Sequence, residues 1–355
     1  MENAKIQIDR LKNAKTAIAG AIAGKGVEVP ESIKLDGYPT LIGQISTSGS
    51  GGGKSIRTCR IVVGTSKNGW TENDCDYLCD GVADNVEIQN AVNELSSGGE
   101  IVILSGEYDI AKSISLGSNK KISGNGSSTI LNANYNKFTS IFSTNMRCVV
   151  ENISFCVPSG ITVGTNPYML SISGYNTIIS NCTFDSEIEG VYCVYANTNK
   201  VLITNNIINN NAQANGIKLG STAQRVTLNG NIIENVKYAI DGGSASNLNN
   251  VLITNNAIES CYSVGITVNG TKTKITNNNI NMSIVGSTSG TGIRSAGSLI
   301  NVCNNTITNS YTGTFKSIEL TTKSEDNFVV NNMLHKVDVT DGGTNNTINN
   351  NIVFS

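Results

Sequence analysis

Two glutamates, Glu234 and Glu259, occupy the same position in two matching stretches of sequence that lie 25 residues apart. If these stretches form neighbouring parallel strands, the two carboxylates lie about 5 Å apart, which is the spacing of adjacent strands. Retaining glycosidases hold their catalytic carboxylates about 5–5.5 Å apart. The simpler interpretation is a solvated surface pair, since the sequence places no aromatic groove wall beside them. Glu234 and Glu259 therefore stay catalytic candidates, and we commit to no catalytic residue.

A second set of residues is suited to binding a ligand. The residue after each Gly-Ile or similar dipeptide should point outward, and these residues together form a predicted column of polar side chains. We predict that the ligand-binding members of this column are Tyr192, Lys218, Asp241, Arg294 and Glu319. A tyrosine ring can stack on a sugar, and charged groups can bond its hydroxyls. The alternative is a row of cross-strand salt bridges that each contribute little. Asp185, Glu187 and Glu189 either extend the strip or form a solvated acidic loop.

The elements that position these residues are short, repeated strands. The phrase VLITNN occurs at 201–206 and 251–256, with looser copies between and around. The last asparagine of each copy recurs every 19 residues (332 to 351) to 29 residues (152 to 181): Asn152, Asn181, Asn206, Asn231, Asn256, Asn278, Asn305, Asn332 and Asn351. Apolar residues alternate with others in each copy, as in a strand, and such a repeat indicates a solenoid. We predict a parallel β-helix with an internal ladder of asparagine amides.

The chain divides into three predicted parts. Residues 1–46 form a small helical attachment segment, with helices over 3–24 and near 39–45, and residues 47–56 form a Gly/Ser linker. Residues 57–355 form the β-helix, whose strands run from about residue 100. Asp84 to Glu87 match a capping box, which opens a helix over about 84–95. This helix would cover the open end of the coil and prevent edge-to-edge aggregation.

Composition excludes several classes of protein. The 355 residues include 36 glycines and carry a net charge of −2, so we expect no strong electrostatic attraction to nucleic acid or to an anionic membrane surface. The charged N-terminus and the short apolar stretch AIAGAIA (17–23) match neither a signal peptide nor a membrane-inserted segment. Nine scattered cysteines suit a reducing cytoplasm. Cys75 and Cys79 lack a second pair of zinc ligands, so we predict no metal and no cofactor.

Two parts of the sequence resemble known families. DGVADNVEIQNAVNEL (80–95), GGEIVILSGEYDI (98–110) and ISGNGSSTIL (122–131) resemble the opening of pectate-lyase-like right-handed β-helix proteins. The version they resemble most is found in tail proteins of phages and phage-derived bacteriocins. Residues 8–45 resemble a recurrent phage tail-fibre segment. The resemblance implies an all-β, right-handed parallel β-helix solenoid with a capping helix, preceded by a small helical N-terminal attachment segment.

The resemblance also implies how the protein assembles. Such proteins attach to a tail or baseplate protein, here through residues 1–46, and are usually parallel homotrimers. One residue after the ladder asparagine, an outward column includes Ile207, Ile232 and Ala257. A monomer has no reason to expose isoleucines on adjacent turns. We therefore predict that these three residues lie in the trimer interface.

For function we expect a tail fibre that binds a bacterial surface polysaccharide, or a teichoic-acid-like polymer, without catalysis. It would be made in the bacterial cytoplasm, reside in the tail of a virion or bacteriocin particle, and be released by lysis. One alternative hypothesis is a tailspike depolymerase, either a polysaccharide lyase or a glycoside hydrolase. The other is a surface adhesin. The paired aspartates and His-Gly of polygalacturonases are missing from the sequence, as is the clustered carboxylate site of pectate lyases.

Overall fold

A computed structural model describes residues 2–23, 28–44, 59–210, 214–243, 245, 247–283, 289–310, 314–336 and 338–354. The chain forms two compact units, Met1–Arg57 and Thr58–Ser355. The predicted linker at residues 47–56 lies outside the described residues. No helix in the described ranges combines the length and apolar character needed to cross a membrane.

The first unit is helical, as predicted. It contains α1 (Glu2–Ala23), a 3-10 turn (Leu35–Gly37) and α2 (Tyr38–Gln44). Its small core consists of Ile22, Tyr38 and Leu41. On α1, Ile8 and Leu11 remain 52% and 57% exposed, so the small core of this unit leaves these two apolar side chains uncovered.

The second unit is a parallel β-helix of about nine turns, which confirms the predicted fold. Its described residues form a 22-stranded sheet, a ten-stranded sheet and a two-stranded sheet. The 22-stranded sheet contains Arg60–Thr65, Tyr77–Cys79, Gly99–Ile103, Gly106–Ile110, Lys120–Ala133, Val149–Val157, Thr177–Ser180, Thr183–Ser186, Val201–Thr204, Ile207–Asn209, Thr227–Asn229, Ile232–Glu234, Leu252–Thr254, Ala257–Cys261, Lys274–Thr276, Asn279–Met282, Asn301–Cys303, Thr306–Asn309, Phe328–Val330, Met333–His335, Thr347–Asn349 and Ile352–Phe354.

The other two sheets complete the coil. The ten-stranded sheet contains Ile114–Ser115, Phe142–Thr144, Tyr168–Ile172, Tyr192–Ala196, Asn215–Leu219, Tyr238–Gly242, Val264–Val268, Ser289–Ser295, Thr314–Leu320 and Val339–Asp341. Leu248–Asn249 pairs with Gly270–Thr271 in the two-stranded sheet. The first strand, Arg60–Thr65, already pairs with Gly99–Ile103, so the sheet begins well before the predicted start near residue 100.

The core consists of apolar side chains that repeat once per turn. Ile208, Ile233 and Ile258 pair in register on successive strands, and each is completely buried. Burying such a side chain contributes roughly 1.5–3 kcal/mol. Since strand residues alternate between the two faces, this inward register fixes which neighbours point outward.

The asparagine ladder lies inside the coil and satisfies its own polar groups. Asn231 Nδ2 donates to Asn256 Oδ1 at 2.9 Å and to the Ile203 carbonyl at 3.0 Å. Asn231 Oδ1 accepts from the backbone N–H of Asn206 at 3.1 Å and from its Nδ2 at 3.0 Å. Asn278, Asn305 and Asn332 repeat this pattern. The predicted internal stacking of Asn206, Asn231 and Asn256 is confirmed.

Two asparagines assigned to the ladder lie elsewhere, and that part of the prediction is wrong. Asn152 and Asn181 have φ angles of 56° and 53°, in the left-handed region that asparagine tolerates better than most residues. The residue after each of them, Ile153 or Cys182, points into the core. The Cys182 N–H donates to Asn206 Oδ1 at 3.0 Å. Asn206 is therefore the first asparagine of the ladder, and its oxygen accepts from a backbone N–H in place of another asparagine amide.

The capping helix is present, although its first turn differs from the prediction. It is α3 (Asn85–Glu94), and it buries Ile88, Ala91 and Val92. Asp84 forms no capping box. Its carboxylate accepts the N–H groups of Gly81 and Asp109, each at 2.7 Å. The side chain therefore joins the start of α3 to a strand of the coil.

The ladder generates a stability prediction. Replacing Asn305 by Ala leaves the buried N–H and Nδ2 of Asn278 without their acceptor. We expect a loss of about 2–3 kcal/mol in the free energy of unfolding, measured by urea denaturation. The matched control is Asn304→Gly, since Asn304 is exposed at a φ of 58° that glycine also adopts. The control should stay within about 0.5 kcal/mol of the wild type. Equal effects in the two variants would contradict a stabilising ladder.

Candidate functional site

The outward face of the ten-stranded sheet carries most of the predicted ligand-binding residues. Lys218 pairs with Asp241, and Arg294 pairs with Glu319, on adjacent parallel strands. The prediction that Tyr192 belongs to this column is wrong. Tyr195 pairs with Lys218, whereas Tyr192 lies opposite Asn215. The sequence contains Val-Tyr twice, at 191–192 and 194–195, and the glycine before the first copy favoured the wrong one.

Tyr192 nevertheless contacts two of the predicted residues. Its hydroxyl donates to Asp241 Oδ2 at 2.6 Å. The other oxygen of Asp241 accepts the Gly243 N–H at 3.1 Å. Lys218 Nζ lies 4.8 Å from the centre of the Tyr192 ring, within range of a cation–π interaction. Burial, followed by the bond to Asp241, raises the pKa of Tyr192 above its ordinary value, so the hydroxyl remains a donor.

Tyr192 belongs to an aromatic cluster that the sequence analysis missed. The ring of Tyr168 stacks on that of Tyr195 with a centroid distance of 4.3 Å and an angle of 14°. Tyr168 and Tyr192 lie 6.2 Å apart at an angle of 50°. All three rings are partly exposed on the outward face. We call Tyr168, Tyr192 and Tyr195 the tyrosine platform.

A buried amide lies beside this platform. Asn215 follows Tyr192 on the next strand and is only 5% exposed, and its Oδ1 has no hydrogen-bond partner within the described residues. An unsatisfied buried acceptor costs about 1–3 kcal/mol.

The second charged pair lies farther along the same face. Arg294 Nε donates to Glu319 Oε2 at 2.7 Å, and Lys316 Nζ bonds the other oxygen of Glu319. Burial alone would raise the pKa of Glu319, but the bonds from Lys316 and Arg294 outweigh it and hold this pKa below its ordinary value. Glu319 therefore remains charged at neutral pH. Its contribution to holding the two cations is lost only as pH falls through that lowered pKa.

The candidate catalytic pair lies on the 22-stranded sheet. Glu234 and Glu259 are directly opposite each other on adjacent strands, and Glu259 Oε2 accepts from Asn281 Nδ2 at 3.1 Å. Phe184 follows Asn181 by three residues, as Glu234 follows Asn231, so the repeat predicts it in the same outward column; it is instead completely buried. Asp185, the next residue, follows the outward register. Burial and the nearby Glu187 raise the pKa of Asp185, and one of its oxygens is buried with no hydrogen-bond partner among the described residues.

The residues proposed for the trimer interface also line up. Ile207, Ile232 and Ala257 pair in register on successive strands. Ile207 and Ile232 are 43% and 40% exposed in the single chain. The same outward column ends with Met333 and Ile352, which are 48% and 63% exposed.

One further cluster near the capping helix has metal-ligand chemistry. Cys79, Asp84 and Glu87 place their ligand atoms within 4.8 Å of one another. Both oxygens of Asp84 already accept backbone N–H groups, and burial raises the pKa of the Cys79 thiol, so that it stays protonated. These hydrogen bonds assign Asp84 to the cap, which the side chain joins to the coil.

Solved structures with the same fold include a tailspike in complex with oligosaccharides. No protein-family model matches the chain, and no curated protein does. A tailspike protein mutant of E. coli bacteriophage HK620, in complex with a pentasaccharide, matches with a TM-score of 0.56 at 13% identity, covering 77% of this chain and 63% of that one. Another mutant of that tailspike, in complex with a hexasaccharide, matches with a TM-score of 0.52 at 14% identity, covering 76% and 61%.

An enzyme module is also similar in fold. The A-module of the Azotobacter vinelandii mannuronan C-5 epimerase AlgE4 matches with a TM-score of 0.51 at 12% identity, covering 82% of this chain and 95% of that one. The chain thus spans less than two thirds of the tailspike's length and nearly all of the epimerase module. At these identities the likeness establishes the fold alone: the chain is a parallel β-helix protein.

Proposed function

We propose that this chain is a tail fibre of a phage or phage-derived bacteriocin, and that it binds a bacterial surface polysaccharide without cleaving it. The outward face of the ten-stranded sheet is the proposed binding surface. The observation that carries the proposal is the tyrosine platform, which lies beside Asn215 and the Lys218–Asp241 pair.

The chemistry of this face suits a sugar polymer. Aromatic rings stack on the apolar faces of sugar rings, and nearby charged and amide groups bond the hydroxyls. Asp241 holds the Tyr192 hydroxyl in place, and the Tyr192 ring holds the Lys218 ammonium. Such preorganised groups lose little entropy on binding. Several copies per particle would raise a weak affinity by avidity.

Known structures of this fold support a glycan as the ligand. The tailspike neighbours are recorded with a pentasaccharide and a hexasaccharide, and the epimerase is named for mannuronan, itself a polysaccharide. By analogy we assign this chain to a particle tail and its ligand to the bacterial surface.

A depolymerase is the second candidate function, because the structure places Glu234 and Glu259 on adjacent strands in register. We favour binding alone, since the tyrosine platform lies on the other sheet. Incubation with purified host-envelope polysaccharide separates the two functions. New reducing ends or unsaturated sugars that disappear in Glu234→Gln would establish a depolymerase, whereas retention without cleavage supports a fibre.

Assembly completes the proposal. We propose a homotrimer that packs through Ile207, Ile232 and Ala257, because exposed isoleucines on adjacent turns favour burial against another copy. We also propose that residues 1–46 dock on a tail or baseplate protein. The exposed Ile8 and Leu11 of α1 support this, since the small core of that unit leaves them uncovered.

The binding face generates a prediction about adsorption. Replacing Lys218 and Arg294 with Ala removes two cationic donors and leaves the inward core unchanged. We expect adsorption to host cells to fall about tenfold or more, because each lost charged contact is worth about 1 kcal/mol or more. Adsorption is measured by counting fluorescently labelled protein bound per cell.

The control for adsorption is the double variant Lys274→Ala, Lys323→Ala. It removes the same charge from two exposed lysines outside this face. The control should adsorb like the wild type. If both double variants lose adsorption equally, only net charge matters and the proposed face is wrong.

Assembly generates a prediction with one truncated chain. Deleting residues 1–46 should leave a folded β-helix that stays trimeric by light scattering but no longer joins the particle. Adding Ile207→Asp to the truncated chain should convert it to monomers, whereas Asn304→Asp, at an exposed position, should not. Normal incorporation of the truncated chain would refute the attachment proposal, and a trimeric Ile207→Asp variant would refute the interface.

A further inference from the structure

Two basic side chains on the ten-stranded sheet are held above a carboxylate. Glu319 bonds both Arg294 and Lys316, and its side chain is only 16% exposed. The side chains of Arg294 and Lys316 are 43% and 37% exposed. The negative charge therefore lies beneath, and the two positive charges face solvent. The group carries one net positive charge, since two cations are offset by one anion.

These cations border a small polar cavity. Its volume is about 190 Å³, and its polar lining includes Ser263, Thr291, Arg294, Thr314 and Lys316. Thr291 is only 4% exposed, and its Oγ1 lies 3.5 Å from Arg294 Nη2. The cavity thus combines hydroxyls with two cations. A neutral sugar needs only the hydroxyls, whereas an anion also needs the charge.

Both cations keep donors available for a ligand. A guanidinium has five N–H groups and an ammonium has three. Among the described residues, Arg294 uses Nε on Glu319 and a long contact from Nη2 to Thr291, and Lys316 uses one donor on Glu319. The remaining donors suit the oxygens of a carboxylate or phosphate, which arginine binds in a fork geometry.

We propose that this cavity binds an anionic group of the surface polymer, either a uronic acid carboxylate or a backbone phosphate. The inference rests on the proposed glycan-binding function and names the class of ligand as an acidic polysaccharide. Tyr195, Lys218, Asp241, Thr267 and Arg294 pair in sequence along the face. The four steps span about 19 Å at roughly 4.8 Å each, so one oligosaccharide reaches from the tyrosine platform to the cavity.

The residue between the two ends favours such a continuous track. Thr267 is only 8% exposed, so its short side chain forms a floor rather than a ridge. Neutral rings would stack on the tyrosine platform, and the acidic substituent would lie in the cavity.

Small anions test the cavity without knowledge of the host. The full-length protein is titrated with sodium glucuronate, sodium phosphate and glucose, each compared with sodium chloride at equal ionic strength. Binding is measured by calorimetry and by the shift in the thermal unfolding midpoint. We expect glucuronate or phosphate to bind and glucose to give no effect at the same concentration. Glucuronate alone would indicate a uronic acid polymer, and phosphate alone a phosphodiester polymer.

Variants localise the effect. Arg294→Gln with Lys316→Gln should weaken anion binding at least tenfold, and Arg294→Lys with Lys316→Arg should largely retain it. Lys274→Gln with Lys323→Gln loses the same charge elsewhere and should bind like the wild type. The proposal is overturned if no anion binds the wild type, if glucose binds equally well, or if the Lys274 and Lys323 control weakens binding to the same degree.

The outcome is separable from that of the proposed function. Anion binding at the cavity, with adsorption unaffected by Lys218→Ala and Arg294→Ala, would retain an anion site and reject the adsorption role of the face. Loss of adsorption without any anion binding would retain the function and reject the acidic ligand.

Discussion

The structure depends on one constraint: a polar amide inside a narrow apolar coil must be bonded by the turn above and the turn below. Each ladder asparagine meets this constraint with hydrogen bonds to its neighbours, as Asn231 does with Asn206 and Asn256. A slip of one residue in any turn would leave these groups unsatisfied in the core, at a cost of about 1–3 kcal/mol for each group. The ladder therefore fixes the register of every turn that it joins.

A fixed register inside the coil determines what the outside presents. Because successive strand residues alternate in direction, aligned inward residues produce aligned outward columns. The 22-stranded sheet presents the apolar column that begins at Ile207 and the carboxylates Glu234 and Glu259. The ten-stranded sheet presents aromatic and charged side chains instead. In the proposed account, the first sheet serves assembly and the second serves recognition. This division follows from side-chain chemistry on one shared scaffold.

The sequence was sufficient to predict the repeat, but not to assign every residue to its inward or outward column. The recurring asparagine and isoleucine phrases predicted the β-helix, the internal ladder and the pairs Lys218–Asp241 and Arg294–Glu319. The errors in the ladder occurred where the phrase loses an asparagine. In the copies NISF (152–155) and NCTF (181–184) the one asparagine is the left-handed turn residue. Asn152 and Asn181 were therefore misassigned to the ladder, and Phe184 was placed outward. The choice of Tyr192 over Tyr195 had a different cause: of the two Val-Tyr pairs three residues apart, only the first follows a glycine, and the pattern favoured that one. The cavity beside Lys316 is lined by residues from three strands, and no sequence pattern predicts it.

The most direct test of the account is a crystal structure of the protein soaked with an oligosaccharide prepared from the host surface polymer. The account predicts sugar density along the outward face of the ten-stranded sheet, with a ring against the tyrosine platform and an acidic group beside Arg294 and Lys316. Density along Glu234 and Glu259 on the other sheet, with the tyrosine platform empty, would contradict it.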